Sequence, residues 1–247
     1  LNVSIENTKL YKLEDYDKIS INEGKLYKTK ITTTNETTLG ATKRLHDLGY
    51  TNIACLNFAS AKHPEGGFLK GSPAQEECLC RESGLYSTIF QDKVKEMYEV
   101  RLKSNALYIN YAIFSPDVPV FRDSNFNFLE NYFKVSVITS AAPNAGVYLE
   151  SERYDLPKNK KIKDIEKIMY ERIKSVLLIA IDNIITNLVL GAFGCEVFKN
   201  DPYKAAYSFK KLLYSNEFKD KFENIVFAIY DKNLQSNNYK VFKGILG

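Results

Sequence analysis

Twice in this chain a short apolar strand runs into a glycine loop and then into a helix, at residues 57–80 and again at 188–205. That order restricts the fold more than any other feature. A strand followed by a helix cannot turn back as a hairpin, and the next strand of the same sheet then lies parallel, with the helix packed on a face. From about residue 162 the predicted order is helix, strand, loop, helix, strand, so a parallel sheet with helices on its faces is expected. Both glycine loops would then sit at the carboxyl ends of strands, where ligands of open α/β sheets bind.

The remaining segments fit that frame. Residues 28–34 (KTKITTT) alternate and are β-branched, which predicts a strand. Residues 38–48 carry apolar side chains at helical spacing and stop at Gly49, and residues 52–58 (NIACLNF) read as a buried strand. Strands are predicted at 106–114 and 119–121, separated by a turn at Ser115-Pro116-Asp117, and at 132–139. Residues 162–182 predict a helix with one core-facing side, 187–190 a short strand, and 225–229 the last strand. Asp201 caps a helix that Pro202 opens and that runs to Leu213. Residues 1–28 say little beyond a short amphipathic turn at Leu10, Leu13 and Tyr16.

At 247 residues, with no internal repeat and no linker, one domain is the expected count, residues 1–50 forming an accessory segment packed on a core of 51–247. Thirty-four basic against 30 acidic residues leave a net charge of +4 and no long basic run. The densest cluster, Lys158-Asn159-Lys160-Lys161, reads as a solvated loop before a helix, so charge gives no argument for nucleic-acid binding. Cys55, Cys78, Cys80 and Cys195 match no zinc spacing, and free thiols in a reducing compartment are expected. No apolar leader opens the chain, and the longest greasy run, 176–185, is broken by Asp182 and Asn183 and too short to span a bilayer. A cytoplasmic protein with no membrane partner is therefore expected. The chain does not begin with Met, so residues upstream are expected too.

Candidate chemistry concentrates in the first loop and its helix, NFASAKHPEGGFLKGSPAQEECLCRESGLY (residues 57–86). Ser72 reads as an N-cap, Pro73 as the first helical residue and Gln75 as a capping-box partner. Glu76 and Glu77 follow as the candidates for acid–base work. Neighbours on a helix project ~100° apart, so the two cannot face each other across a bond; one would react while the other orients a ligand. The opposing reading is that both merely complement the helix dipole, which also favours their ionised forms and so works against a general acid. Residue spacing leaves both readings open. The two glycine loops could together grip a pyrophosphate through backbone N–H groups, although a glycine loop can also be just a tight turn. Neither is a GxGxxG fingerprint or a Walker loop. His46 reads as solvated, and His63 as a loop residue before a ligand contact. Phe193 and Phe198 flank the second loop, placed either to stack on a base or to pack on the next helix.

Taken together, these segments resemble the microbial (bacterial-type) poly(ADP-ribose) glycohydrolases, a macrodomain family. The first loop is similar to that family's asparagine strand end, PGGGF loop and Gln-Glu-Glu. VPVFRD (118–123) and ITSAAPNAG (138–146) are similar to its central segments, and LGAFGCEVFKNDP (190–202) to its GAWGCGVFGNDP phosphate loop. The likeness spans roughly residues 30–230. It implies a three-layer, mostly parallel mixed sheet with helices on both faces, ADP-ribose in a cleft at the sheet crest, and hydrolysis of the ribose–ribose O-glycosidic bond of poly(ADP-ribose) without metal or cofactor. Carried over position by position, Glu77 is the acid/base and Glu76 holds a ribose hydroxyl. Asn57 and Ser60 lie near the scissile ribose. Gly66, Gly67, Phe68 and Gln75 belong to the first binding loop; Gly191, Ala192, Phe193, Gly194 and Cys195 form the second, with Phe198 beside the adenosine. A monomer acting on ADP-ribosylated substrates is implied. A macrodomain that binds ADP-ribose with little turnover, or a hydrolase of mono-ADP-ribosyl groups on protein or nucleic acid, is the alternative. The chain departs from the pattern at three points: Glu65 and Glu196 replace loop glycines, and His63 replaces an asparagine. A carboxylate facing a pyrophosphate would repel it, whereas one directed into solvent would matter little.

Overall fold

The computed structural model describes residues 1–21, 26–100, 105–152, 156–232 and 237–247. In chain order the elements are α1 (Asn2–Asn7), β1 (Lys9–Tyr11), α2 (Leu13–Tyr16), β2 (Lys30–Thr34), α3 (Thr38–Asp47), β3 (Ile53–Phe58), α4 (Gln75–Glu82), α5 (Leu85–Ile89), α6 (Glu96–Glu99), β4 (Ala112–Arg122), β5 (Phe128–Ser140), α7 (Ala145–Glu150), α8 (Lys158–Asp182), β6 (Asn187–Leu190), α9 (Pro202–Leu213), β7 (Asn224–Ala228) and α10 (Asn237–Leu246).

The strands form one sheet in the order β1-β4-β5-β3-β6-β7-β2. From β5 to β2 every pairing is parallel, and β1, β4 and β5 pair antiparallel at the other end. The expected mixed, mostly parallel sheet is therefore present, and it is covered on both faces. Because β3 alternates, Ala54 and Leu56 join the core beneath α8, α9 and α10, while Ile53 and Cys55 join the one beneath α3, α4 and α5. Cys55 and Leu56 are almost wholly excluded from solvent, which is why the strand reads as a continuous apolar run.

Helix ends follow local chemistry. The Thr37 hydroxyl accepts the Gly40 N–H to start α3, and the Asp201 carboxylate accepts the Tyr203 N–H to start α9, with Pro202 in its first turn as expected. The 25-residue α8 buries Ile173, Val176 and Leu177 along its apolar side.

Four expectations need correction. Ser115-Pro116-Asp117 is not a turn between two strands: β4 runs through it as a bulge, with the register slipping between Ser115 and Val118 and Asp117 at φ 51°. The loss of the Pro116 donor is absorbed there, because a bulge already breaks the ladder. Residues 106–111 are not strand, for Tyr108 is left-handed at φ 60° and the buried Arg172 guanidinium holds the carbonyls of Leu107 and Tyr108. Finally, α4 begins at Gln75 rather than at Pro73, with Ala74 before it and no side-chain cap. Its polar head groups are drawn into tertiary bonds instead. Leu10, expected in an amphipathic turn, lies in β1 on the edge of β4, and only Leu13 to Tyr16 is helical. The C-terminal helix α10, which no sequence signal marked, packs on β2 and α9, where the Gly247 carbonyl accepts the Thr33 N–H.

Candidate active site

The carboxyl ends of β3, β5, β6 and β7 come out at one crest of the sheet, and both glycine loops leave from it. At the end of β3 the Asn57 amide donates to Glu76 Oε1 at 3.1 Å and to Thr139 Oγ1 of β5 at 3.2 Å. The Ser60 N–H donates to Glu76 Oε2 at 2.8 Å. Both oxygens of Glu76 are thus fixed, and its carboxyl is buried at 3% exposure. The Ser60 hydroxyl in turn accepts the N–H groups of Lys62 and His63, so it shapes the loop.

Gln75 acts as a brace. Its amide oxygen accepts the Phe58 N–H at 2.8 Å, and its nitrogen donates to the Leu56 carbonyl and to Thr38 Oγ1 of α3. This occupies the side chain that a capping box would need and explains why α4 starts without one. Gln75 therefore sets the height of α4 against β3, and with it the position of the two glutamates that follow.

Glu77 points under the first glycine loop, where Oε1 accepts the Gly67 N–H at 2.8 Å. Gly66 is left-handed at φ +61°, and a Cβ there would lie 2.5 Å from Glu77 Oε1. The loop can lie on the carboxylate because no side chain intervenes. Phe68 turns away from this point and packs on Tyr86, with the Arg81 guanidinium over its ring, so its contacts are structural. Glu65 does not turn to solvent. It is half-buried at φ 81°, its Oε2 is covered without a hydrogen-bond partner, and burial followed by repulsion from Glu77 raises its pKa against the pull of Lys70. Glu196, by contrast, is exposed at the rim of the second loop.

The second loop follows β6. Gly191 lies so close to the Phe58 ring and the Ala228 carbonyl that a Cβ would be 2.8 Å from each. Gly194, at φ +73°, is clamped by Asn200, whose amide donates to the carbonyls of Gly194 and Pro143. Phe193 is buried against Phe58, with ring centroids 5.7 Å apart. Burial pushes the Cys195 thiol up to about 12, so it offers no thiolate nucleophile at neutral pH. Among the described residues, no cluster of three or more His, Cys, Asp or Glu is arranged to hold a metal ion.

Between the loops lies a cavity of about 380 Å³. Gln75, Cys78 and Glu82, on one face of α4, line it together with Phe193, Gly194 and Phe198 of the second loop; Thr37 and Thr38 at the start of α3 and Tyr230 beyond β7 complete its lining. Glu76 and Glu77 do not line this cavity. They sit on the adjoining face of α4, beneath the first loop, next to the cavity-lining Gln75. The structure thus gathers Asn57, Ser60, Gly66, Gly67, Glu76 and Glu77 at one end and Gly191 to Phe198 at the other.

Several contributors were not read from the sequence. Thr139 orients Asn57, Asn200 fixes Gly194, and Arg172, without a carboxylate partner among the described residues, pins Ala141 and the 107–108 carbonyls. Tyr108, held there, packs its ring 6.0 Å from that of Phe198. Glu82 was recoverable in principle, since Gln75, Cys78 and Glu82 follow helical spacing along one face.

The comparisons with known proteins bear on this arrangement. The family description "Microbial-type PARG, catalytic domain" (PARG, poly(ADP-ribose) glycohydrolase) matches residues 1–123, which include Gln75, Glu76 and Glu77. A poly(ADP-ribose) glycohydrolase from Deinococcus radiodurans, solved in complex with ADP-ribose, superposes with a TM-score of 0.90 at 36% identity, over 98% of this chain and 95% of that one. The chain belongs to the microbial-type poly(ADP-ribose) glycohydrolase family. A second enzyme of the family, from Thermomonospora curvata and bound to the inhibitor ADP-HPD, gives 0.85 at 37% identity over 98% and 86% of the two chains. Comparison with curated proteins yields no match. As a family member the chain is an enzyme of the glycohydrolase class, and its sheet is the macrodomain-like sheet of that family. Among the described residues no helix is long and apolar enough to cross a membrane.

Glu76 gives this glycohydrolase a measurable pH dependence. Burial raises its carboxyl from an ordinary 4.5 to about 8, against the hydrogen bonds from Ser60 and Asn57 and with added repulsion from Glu77 and Glu65. Between those values the folded state holds a proton that the unfolded chain has lost, so stability falls as pH rises through the window and levels off above it. Tm is expected to drop by on the order of 5–10 °C between pH 5 and pH 8. Glu82, raised to about 7 by burial and by repulsion from Asp123, adds to the same drop, so Glu76→Gln should make it smaller without removing it, and an unchanged slope in scanning calorimetry would contradict the assignment.

Proposed function

We propose that this enzyme releases ADP-ribose from poly(ADP-ribose), with Glu77 as acid and base. The observation that carries this reading is the placement of two buried, adjacent carboxyls against a glycine loop at the crest where a second such loop also ends. Protonated Glu77 gives its proton to the departing ribose oxygen as the C1–O bond breaks through an oxocarbenium-like state. The carboxylate then takes a proton from the water that adds to C1. Glu76, held by Asn57 and the Ser60 N–H, keeps a fixed carboxyl for a ribose hydroxyl. The backbones at Gly66 and Gly67 and from Gly191 through Ala192 and Gly194 to Cys195 supply N–H groups for the pyrophosphate. Phe198 and Phe193 border the cavity that takes the adenosine, and no step requires a metal or cofactor.

Every group named belongs to one chain, so a monomer suffices. The sheet draws both of its edge strands, β1 and β2, from before residue 50 and the five strands between them from after it, which supports one domain acting as a unit. Four free thiols suit a reducing compartment, and the cytoplasm is the proposed location. The deciding experiment incubates the protein with poly(ADP-ribose) and measures free ADP-ribose. Tight ADP-ribose binding without turnover would replace this reading with a binding module.

The Glu65 carboxyl supplies a second test. It lies close enough to be repelled by Glu77, in the loop that would hold an anion, whereas Glu196 is open to solvent and screened. Glu65→Gly is expected to tighten ADP-ribose binding about three- to tenfold, and Glu196→Gly to change it by less than about twofold, in calorimetric titration. Equal effects of the two substitutions would show that Glu65 exerts no special repulsion.

A further inference from the structure

Beside the site, one end of the β4–β5 hairpin gathers guanidinium groups and aromatic rings. The Arg122 guanidinium lies 4.6 Å from the centre of the Phe128 ring and 5.9 Å from that of Phe121, and the two rings stack at 6.4 Å. The Arg81 guanidinium, from α4, sits 5.9 Å from the Phe126 ring at the hairpin turn and 5.8 Å from Phe68. Among the described residues neither arginine has a carboxylate within ion-pair distance, whereas Arg44 is paired with Glu36; Arg81 donates one N–H to the Ser72 carbonyl, and Arg122 Nε is buried without any partner. Asp123 is spent on the turn, accepting the N–H groups of Asn125 and Asn127. Phe128 is 74% exposed and Phe126 44%, so both rings present a face to solvent beside the guanidinium groups.

This surface is continuous with the site at two points. Ser124, at the hairpin turn, lines the cavity, and Phe68 directly follows the Gly66–Gly67 loop that covers Glu77. We propose that the Arg81–Arg122–Phe126–Phe128 face binds the part of an ADP-ribose polymer that lies beyond the unit being cut, an adenine stacking on an exposed ring and a pyrophosphate meeting the guanidinium groups. The inference rests on the proposed substrate. Its chemistry is that of single-stranded nucleic-acid surfaces, in which rings take bases of any sequence and arginines take phosphates. Net charge gave no hint of it, because the chain's surplus of +4 is small and two cations suffice when they are free of carboxylates.

The test compares wild type, Arg122→Ala and Phe128→Ala in three measurements: affinity for free ADP-ribose, KM for long poly(ADP-ribose), and the salt dependence of polymer binding. Either substitution is expected to raise KM for polymer about five- to tenfold while ADP-ribose affinity stays within about twofold. Arg122→Ala should also lower the slope of log affinity against log salt by about 0.7, the value of one lost phosphate contact on a single strand. Equal polymer KM in all three proteins overturns the inference, as does a parallel loss of ADP-ribose affinity or a concentration-dependent dimer that the substitutions abolish. Absence of turnover by the wild type would instead overturn the proposed function, and binding of polymer would still be read from the salt titration.

Discussion

Glu77→Gln is expected to lower kcat on poly(ADP-ribose) by about a thousandfold while ADP-ribose affinity changes by less than about threefold, because a positioned acid/base is worth 10²–10⁴ in rate and little in binding. Gln keeps the shape of the side chain and an oxygen that can still accept the Gly67 N–H, now 2.8 Å from Glu77 Oε1, so the loop keeps its seat. On the proposed mechanism, what is lost is the proton for the departing oxygen and the base for water. Steady-state rates, a calorimetric titration and a melting curve on the same preparation separate the two effects. A kcat within tenfold of wild type would remove Glu77 from the chemistry. Glu76→Gln makes the contrast: its carboxyl is tied on both oxygens to Asn57 and Ser60, so it is expected to weaken substrate binding and alter the pH–stability curve more than it abolishes turnover.

The parts of this molecule that were legible in the sequence are those governed by local rules. Strand β3 announces itself by five buried residues in a row, α9 by Asp201 and Pro202, and the crest by two strand–loop–helix units. What was illegible depends on partners far away in the chain. Gln75 has the spacing of a capping-box residue, yet β3 and Thr38 claim its amide. Ser115-Pro116-Asp117 has the composition of a turn, yet pairing with β5 on either side carries the strand through it as a bulge. Nothing local marks Arg172 as buried, since its partners are carbonyls more than 30 residues away. The case of Glu65 is similar: a glutamate in place of a loop glycine was visible, but the direction of its carboxyl depends on how the loop sits over α4. Spacing left the acidic pair open between dipole complement and reactive centre. Its burial at 3% and 7% exposure, with Glu76 bonded through both oxygens, argues against a role confined to the dipole, which solvated carboxylates fulfil without loss.

Gly66→Ala isolates the contact on which this centre is built, provided it is compared with Gly71→Ala. Both glycines are left-handed, at φ +61° and +79°, so each alanine incurs a similar backbone penalty of ~1–2 kcal/mol. Around Gly71 nothing lies within 4 Å of a new Cβ, and that variant is expected to lose stability while keeping kcat within about twofold of wild type. At Gly66 the methyl would meet Glu77 Oε1 at 2.5 Å and Glu76 Oε2 at 3.1 Å, distances at which something must move. Either the loop lifts, breaking the Gly67 N–H bond, or the Glu77 carboxyl swings aside. Displacement of a reacting group by ~1 Å costs about a hundredfold in rate, so Gly66→Ala should lower kcat by about that factor, with a melting shift at least as large as that of Gly71→Ala. Matching kcat values for the two variants would mean that the loop does not hold the reacting carboxyl. A loss at Gly66 alone would show that Glu77 owes its position to the absence of a side chain above it.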